Sequence, residues 1–187
     1  MSINEVRYLP ECGSTNAYMK EHFEEFGPVG AVYTTNQTAG RGRLGRTWVN
    51  AEGKALYYTV AIREPLAQPA TLPLLASLAV RRQLALQGAT IDLEQDPGWL
   101  AEALTDFGFD RPLYTFARDG FAPFREEYKA ACVNIGRRVT FDLPDGGQGA
   151  GEAVDVDEEG RLVVRTDNGE EHVFTGEVSV RGIYGSL

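Results

Sequence analysis

The sequence is poor in cysteine and histidine, and it contains no long apolar run. Its 187 residues include two cysteines, Cys12 and Cys132, and two histidines, His22 and His172. Because the cysteines lie far apart, the sequence predicts reduced thiols, with neither a disulfide framework nor a metal site. No cationic stretch followed by an apolar run opens the chain, and no apolar segment approaches membrane-spanning length. We therefore expect a globular cytoplasmic protein that does not act at a membrane.

Positive charge is also scarce, since 18 lysines and arginines stand against 27 aspartates and glutamates, for a net charge of −9. This balance argues against nucleic-acid binding, because contact with phosphates needs a basic field. Yet no acidic residue occurs between Glu25 and Glu52, and that window contains Arg41, Arg43 and Arg46. A cationic island in an acidic chain predicts a site for a small anionic ligand.

Apolar periodicity and breaker residues predict a mixed α and β organisation in the first part of the chain. The short oxygen-bearing side chains of Ser14, Thr15 and Asn16 are typical of a helix start, and Gly27-Pro28 is expected to end that helix. Segments rich in β-branched and aromatic residues predict strands, and apolar residues at helical spacing predict further helices. The strands are expected at 31–35 and 55–62, and the helices at 71–87, from Asp96 and around 121–132.

The pattern changes from Gly136 onward, where short apolar segments largely alternate with polar residues. Turn-forming residues at 144–147, 159–160 and 168–169 separate these segments. Their spacing predicts a small barrel of short antiparallel strands. We place a domain boundary near Asn134.

The segment from Gly40 to Trp48 carries the clearest chemistry. Its glycines, at positions 40, 42 and 45, allow the backbone to approach a ligand closely. Its arginines, at positions 41, 43 and 46, supply forked donors for phosphate or carboxylate, and Trp48 offers a flat face to a ring. The segment therefore predicts a site for a nucleotide together with an acid.

Other interpretations of this segment are weaker. It satisfies the dinucleotide-binding pattern G-x-G-x-x-G, but that loop opens directly into a helix, whereas residues 46–53 are turn-like and lead into a strand. No Gly-Lys-Ser or Gly-Lys-Thr occurs, which excludes a P-loop. An arginine-rich surface loop that serves only solubility is the alternative without a ligand.

Two motifs resemble the leading signatures of the biotin protein ligase family, in its form without a DNA-binding domain. They are Ser14-Thr15-Asn16 and the run from Thr35 to Trp48. The resemblance implies an α+β fold, with a mixed sheet and helices of the biotin and lipoate ligase type followed by a small SH3-like β-barrel. It places the catalytic domain at 1–134 and the barrel at 135–187. A lipoate ligase relative is the neighbouring alternative, but the glycine and arginine run and the barrel favour biotin.

The resemblance implies ATP-dependent ligation, with ATP and Mg²⁺ as the substrate complex and biotin as the second substrate. Biotinyl-5'-AMP would form first, and a lysine of a biotin carboxyl carrier domain would then take the biotin. A homodimer is a further expectation. The biotin-binding residues so implied are Ser14, Thr15, Asn16, Gln37, Gly40 and Arg41. The nucleotide-binding residues are Gly42, Arg43, Gly45, Arg46 and Trp48, and catalysis would use Arg41, Arg43 and Arg46.

Some of these residues have a structural alternative. Ser14 or Thr15 can simply cap a helix, because capping alone explains their residue type. Trp48 can equally be a core residue, because tryptophans are usually largely buried.

The sequence departs from the family in the middle of the catalytic domain. The family's Trp-Pro-Asn-Asp, Lys-x-x-Gly-Ile-Leu and Gly-Ile-Asn signatures are absent, and the chain is shortened near 87–90. Its lysines are Lys20, Lys54 and Lys129, and none stands in the setting of the family's catalytic lysine. Two hypotheses follow. One is a ligase with impaired activity, and the other is a non-catalytic, degenerate module that binds biotin or nucleotide.

Overall fold

A computed structural model describes residues 3, 5–42, 47, 49–50, 55–86, 110–143, 146–174 and 178–180. The chain divides into two compact units, Met1–Leu66 with Ala76–Arg118, and Ala67–Leu75 with Asp119–Leu187. The helix expected from Asp96 lies outside the described residues. Among the residues that are described, no helix has the length and apolar character needed to cross a membrane.

The first unit is built on a three-stranded sheet in the order β1-β2-β3. The strands are β1 (Glu5–Tyr8), β2 (Val29–Thr34) and β3 (Tyr57–Ile62). Strand β2 pairs in parallel with β1 and antiparallel with β3. The two expected strands are confirmed. Strand β1 was not predicted, because four residues that include two charged ones give too short a signal.

Helix α1 (Thr15–Glu21) connects the two parallel strands. Its N-cap is Ser14, whose Oγ accepts a hydrogen bond of 3.4 Å from the backbone N–H of Ala17. Met19 packs with Phe26 and Val32 in a buried cluster. The helix ends earlier than expected, because a 3-10 turn at Phe23–Glu25 replaces its continuation toward Gly27.

Two more helices contribute to the first unit. Helix α2 (Leu72–Leu86) follows a 3-10 turn at Pro69–Thr71 and confirms the helix expected at 71–87. Its buried Ala79 packs against a group of partly buried apolar side chains that includes Leu56, Tyr58 and Val60. Helix α3 (Asp110–Asp119) buries Leu113 and Phe116 completely.

The second unit contains a five-stranded antiparallel sheet. It is preceded by a 3-10 turn at Ala122–Phe124 and by helix α4 (Arg125–Ala131), which together take the place of the helix expected around 121–132. Gly146, Gly160 and Gly169 have positive φ at the predicted breaks. The strands are β4 (Arg138–Asp142), β5 (Gln148–Val156), β6 (Leu162–Thr166), β7 (Gly169–Val173) and β8 (Val178–Val180). Their order in the sheet is β7-β6-β5-β4-β8.

Residues 67–75 belong to this second unit because of specific contacts. The Gln68 side-chain oxygen accepts a hydrogen bond of 2.7 Å from the backbone N–H of Phe121. Gly160 lies so close to Leu74 and Thr71 that a β-carbon there would stand 2.6 Å from Leu74 Cδ1. The observed elements confirm the α+β class. The domain boundary near Asn134 stays a prediction.

Candidate ligand-binding site

A cavity of about 350 Å³ opens in the first unit at the end of the three-stranded sheet. This volume lies within the range of about 300 to 1,000 Å³ that is usual for small-molecule sites. Five of the residues expected at the site line it, together with Leu56 and the first three residues of β3. The lining residues are Ser14, Thr15, Asn16, Gln37, Arg41, Leu56, Tyr57, Tyr58 and Thr59.

The parallel pairing of β1 and β2 brings the first two motifs together. Parallel strands have their carboxyl ends at the same sheet edge, so the segments that follow them run side by side. Here Cys12 pairs with Gln37 in an isolated parallel bridge. The backbone N–H of Ala39 donates a hydrogen bond of 2.7 Å to the carbonyl of Gly13. Residues 25 and 26 positions apart in the sequence therefore form one wall.

Gln37 and Thr15 form the buried polar part of that wall. Gln37 Oε1 accepts hydrogen bonds from the Thr15 backbone N–H at 2.8 Å and from the Thr15 hydroxyl at 3.2 Å. Thr15 is 4% exposed and Gln37 is 8% exposed. The N–H of Thr15 belongs to the first turn of α1, where backbone donors lack helical partners. Gln37 therefore satisfies a backbone donor at this helix start.

Thr59 is a site residue that the sequence did not reveal. Its hydroxyl lies 2.9 Å from Thr15 Oγ1 and 2.9 Å from Asn16 Oδ1. A hydroxyl carries one hydrogen, so Thr59 donates to one of these oxygens at a time. The contact joins β3 to the start of α1. The expected strand at 55–62 is apolar at most positions, so its pattern could not indicate which side chains face a cavity.

Of the two residues that the sequence offers as the cap of the first helix, the structure shows Ser14 in that role. Ser14 caps α1 and also lines the cavity, and Thr15 does not act as the cap. The hydroxyl of Thr15 is instead shared between Gln37 and Thr59.

Arg41 brings the described part of the glycine and arginine segment to the cavity. Gly40 is buried, whereas Arg41 is exposed and lines the cavity. Arg41 also pairs with Thr47 in an isolated antiparallel bridge. Gly42 is described but is not part of the lining. Arg43, Gly45, Arg46 and Trp48 lie outside the described residues, and their expected roles stay predictions.

The described cysteine and histidine side chains do not line the cavity. Burial raises the pKa of the Cys12 thiol, and the neighbouring Glu11 carboxylate adds to the shift. This thiol is therefore protonated at neutral pH. Of the two histidines, His22 stacks on Tyr18, and His172 lies 2.7 Å from Asp157 in the second unit.

Known families match both parts of the chain. The biotin/lipoate A/B protein ligase family matches residues 9–95, and the biotin protein ligase C-terminal domain matches residues 135–181. The bifunctional ligase/repressor BirA of Bacillus subtilis is 20% identical to 80% of this chain, which spans 65% of the length of that relative. The alignment has 213 positions, whereas 80% of 187 residues is only about 150. About 60 positions of the alignment therefore hold a residue in BirA and a gap in this chain.

Solved structures share the fold. A biotin protein ligase from Aquifex aeolicus in complex with biotin and ATP is 20% identical, with a TM-score of 0.77 over 96% of this chain and 99% of that one. A biotin acetyl coenzyme A carboxylase synthetase from Helicobacter pylori, with bound biotinylated ATP, is 15% identical, with a TM-score of 0.57 over 89% and 99% of the two chains. These likenesses confirm the expected fold, a mixed sheet with helices followed by an SH3-like domain. With two family matches that together cover more than half of the residues, the chain belongs to the biotin protein ligase family.

Proposed function

We propose that this chain is an ATP-dependent biotin protein ligase that forms biotinyl-5'-AMP and transfers biotin to a lysine of a carboxylase carrier domain. One observation carries the proposal. Ser14, Thr15, Asn16, Gln37 and Arg41 line one cavity, although they come from two separate motifs. The family match, and the biotin and ATP bound in the similar structure from Aquifex aeolicus, support the same activity.

The lining combines polar side chains, apolar surface and a cation, which suits a ligand that has a polar, an apolar and an anionic part. The amide of Gln37 and the hydroxyls of Thr15 and Thr59 offer donors and acceptors to the ureido group of biotin. Leu56 supplies apolar surface for the thioether ring. Arg41 provides a permanent cation for a carboxylate or phosphate.

The reaction that fits this arrangement has two steps. A carboxylate oxygen of biotin attacks the α-phosphorus of ATP, the bond to the bridging oxygen breaks, and pyrophosphate leaves. The amine of an acceptor lysine then attacks the acyl carbon, loses a proton to solvent and releases AMP. The first step brings two anions together, so fixed cations such as Arg41 lower its barrier by screening their repulsion.

Mg²⁺ would enter with the nucleotide. Magnesium is commonly held by one or two carboxylates together with substrate phosphates. The described ranges contain no group of three His, Cys, Asp or Glu side chains that could hold a metal by themselves. The ion would therefore neutralise phosphate charge as part of the substrate complex.

A non-catalytic module that binds biotin or nucleotide is the second candidate, and the lysines favour it. Lys129 is paired with Asp155 at 2.9 Å in the second unit. Lys20 is exposed in the last turn of α1 and does not line the cavity. Lys54 lies outside the described residues. If a family member needs a lysine at the reacting carboxylate, this chain would bind its substrates but turn them over slowly.

The experiment that tests the proposal is biotin-dependent exchange of pyrophosphate into ATP, followed by labelling of a carrier domain. Activity above background is expected in the wild type, and Arg41→Ala is expected to lose about ten- to a hundredfold, the value of a charge-assisted contact. The control is Arg138→Ala, an exposed arginine of β4. If calorimetry shows binding of biotin or ATP but no exchange occurs, the second candidate is selected. If neither binding nor exchange is detected, both candidate functions are refuted.

We infer a cytoplasmic location and a homodimeric state as part of the same proposal. The carrier domain is the partner that the family implies. Sedimentation at several protein concentrations, with and without biotin and ATP, measures the oligomeric state. A single monomeric species under all conditions would remove the homodimer from the proposal.

A further inference from the structure

Four side-chain oxygens form a connected group in the cavity. Thr59 Oγ1 lies 2.9 Å from Thr15 Oγ1 and 2.9 Å from Asn16 Oδ1. Thr15 Oγ1 lies in turn 3.2 Å from Gln37 Oε1. We call these four residues the oxygen cluster, and all of them line the cavity. The cluster therefore determines which polar groups of a ligand can pair at this place.

The hydroxyl hydrogens of the oxygen cluster have acceptors inside it. The three contacts share only the hydrogens of Thr15 and Thr59, because an amide oxygen carries none. The Thr15 hydroxyl has Gln37 and Thr59 as possible acceptors. The Thr59 hydroxyl has Thr15 and Asn16 as its own. In each arrangement both hydrogens are used within the cluster, so the hydroxyls offer a ligand their lone pairs. Such oxygens recognise a donor.

Of the two hydroxyls, that of Thr59 is the more accessible to a ligand. Thr15 is 4% exposed, and its backbone N–H also pairs with Gln37. Thr59, at the third position of β3, is half-buried, and Asn16 beside it is exposed. A donor that enters the cavity can therefore reach Thr59 Oγ1. The amides of Gln37 and Asn16 carry N–H groups, which suit a ligand carbonyl.

Resting on the proposed function, we propose that Thr59 is a specificity-determining residue whose hydroxyl oxygen accepts a hydrogen bond from a ureido N–H of biotin. The ureido group is a cyclic urea, with an N–H on each side of its carbonyl. A ligand that fills the cavity displaces solvent from Thr59, so it must supply a donor in return. An acid without an N–H leaves this oxygen unpaired, and binding is penalised. Thr59 thereby selects a urea over other acids.

The first test measures biotin binding by calorimetry for Thr59→Val and Thr59→Ser in the full chain. Valine has nearly the shape of threonine but no hydroxyl, so the Kd should rise about tenfold, as for one neutral hydrogen bond at the upper end of its range. Serine keeps the hydroxyl, so the Kd should change by no more than about fourfold, the value of one methyl group. In pyrophosphate exchange, Thr59→Val should raise the KM for biotin and leave kcat unchanged. The control is Thr115→Val on α3, whose side chain does not line the cavity.

The second test uses biotin analogues to locate the hydrogen bond on the ligand. Desthiobiotin keeps the ureido group and lacks the sulfur, so Thr59→Val should weaken its binding by the same factor as that of biotin. Two cyclic carbamates, each with a ring oxygen in place of one ureido N–H, keep the shape of biotin. For the carbamate that lacks the N–H facing Thr59, Thr59→Val should change the Kd by no more than about twofold, because the interacting pair is already broken. A change in cavity shape would instead weaken all four ligands alike.

The outcomes separate this inference from the proposed function. If the wild type binds biotin without exchange, ligase activity is refuted, while calorimetry still tests Thr59. If the wild type does not bind biotin, both fail. If Thr59→Val binds biotin as tightly as the wild type, or weakens both carbamates as much as biotin, the role of Thr59 alone is refuted. If Thr59→Val does not fold, Thr59→Cys decides by the same measurements, because its sulfur is a weak acceptor.

Discussion

Replacement of Gln37 separates the structural contribution of this side chain from its contribution to binding. In Gln37→Leu, the Thr15 N–H, in a residue that is 4% exposed, loses the acceptor that lies 2.8 Å away. A buried donor without a partner costs about 1 to 3 kcal/mol. For a chain of this size, a loss of 2 kcal/mol lowers Tm by roughly 4 to 8 °C. Gln37→Leu should therefore lose stability as well as biotin affinity.

Gln37→Glu should lose biotin affinity but keep the stability of the wild type. Its carboxylate keeps an oxygen for the Thr15 N–H and adds a negative charge beside the N-terminus of α1, where it interacts favourably with the first-turn amides. It removes the amide donor, so biotin affinity should fall by about ten- to a hundredfold, as expected when one good hydrogen bond is lost and an acceptor faces an acceptor. Thermal unfolding and titration calorimetry measure the two effects. Unchanged Tm in Gln37→Leu would refute the structural argument, and unchanged biotin affinity in Gln37→Glu would refute the binding argument.

The second unit supports two further predictions. Gly160→Ala should lower the free energy of unfolding, measured in urea, by about 1 to 3 kcal/mol. The reason is that φ is +76° at this position and the new β-carbon would stand 2.6 Å from Leu74 Cδ1. The control is Gly27→Ala, which has open space around the new β-carbon and should lower it far less. Burial would raise the pKa of Asp157, but hydrogen bonds from His172 and Arg161 outweigh it and lower that pKa. The stabilisation by Asp157 is thus fully present above its unfolded pKa of about 3.9 and is lost as pH falls through the lower folded value. Asp157→Asn should therefore be less stable than the wild type at pH 7, with the difference shrinking in acid. A difference that is the same at pH 7 and pH 3 would contradict this.

The sequence predicted the elements whose signals are local. The cap at Ser14 and the glycines at the breaks of the second unit report chemistry that one turn or one loop decides, and these features are confirmed. Strand β1 escaped because its pairing with β2 is long-range and its four residues give no periodicity of their own. Helix α3 escaped for a related reason, since Pro112 stands near its start and only Leu113 and Phe116 mark an apolar face.

The site was predicted less evenly than the fold. Arg41 is suggested by its residue type and charge context, so elementary chemistry was sufficient for it. Gln37 is an ordinary loop residue by composition, and only its place in the family motif singled it out. Thr59 was missed by both routes. Its contact is with Thr15, 44 positions away, and no local pattern reports such a contact.

The position of the site in the chain bears on which of the two proposed functions applies. Every described residue that lines the cavity lies between 14 and 59, and the contacts among Thr15, Gln37 and Thr59 lie within that range. The predicted shortening near 87–90 falls after this range, so we expect these walls to form without the signatures that the chain lacks. We therefore expect the binding of biotin to be separable from the formation of the adenylate. Affinity for biotin should be close to that of complete family members, while any deficit should appear in the rate of adenylate formation. If the wild-type protein binds biotin no better than its Gln37→Glu variant, the missing segment is also needed for binding.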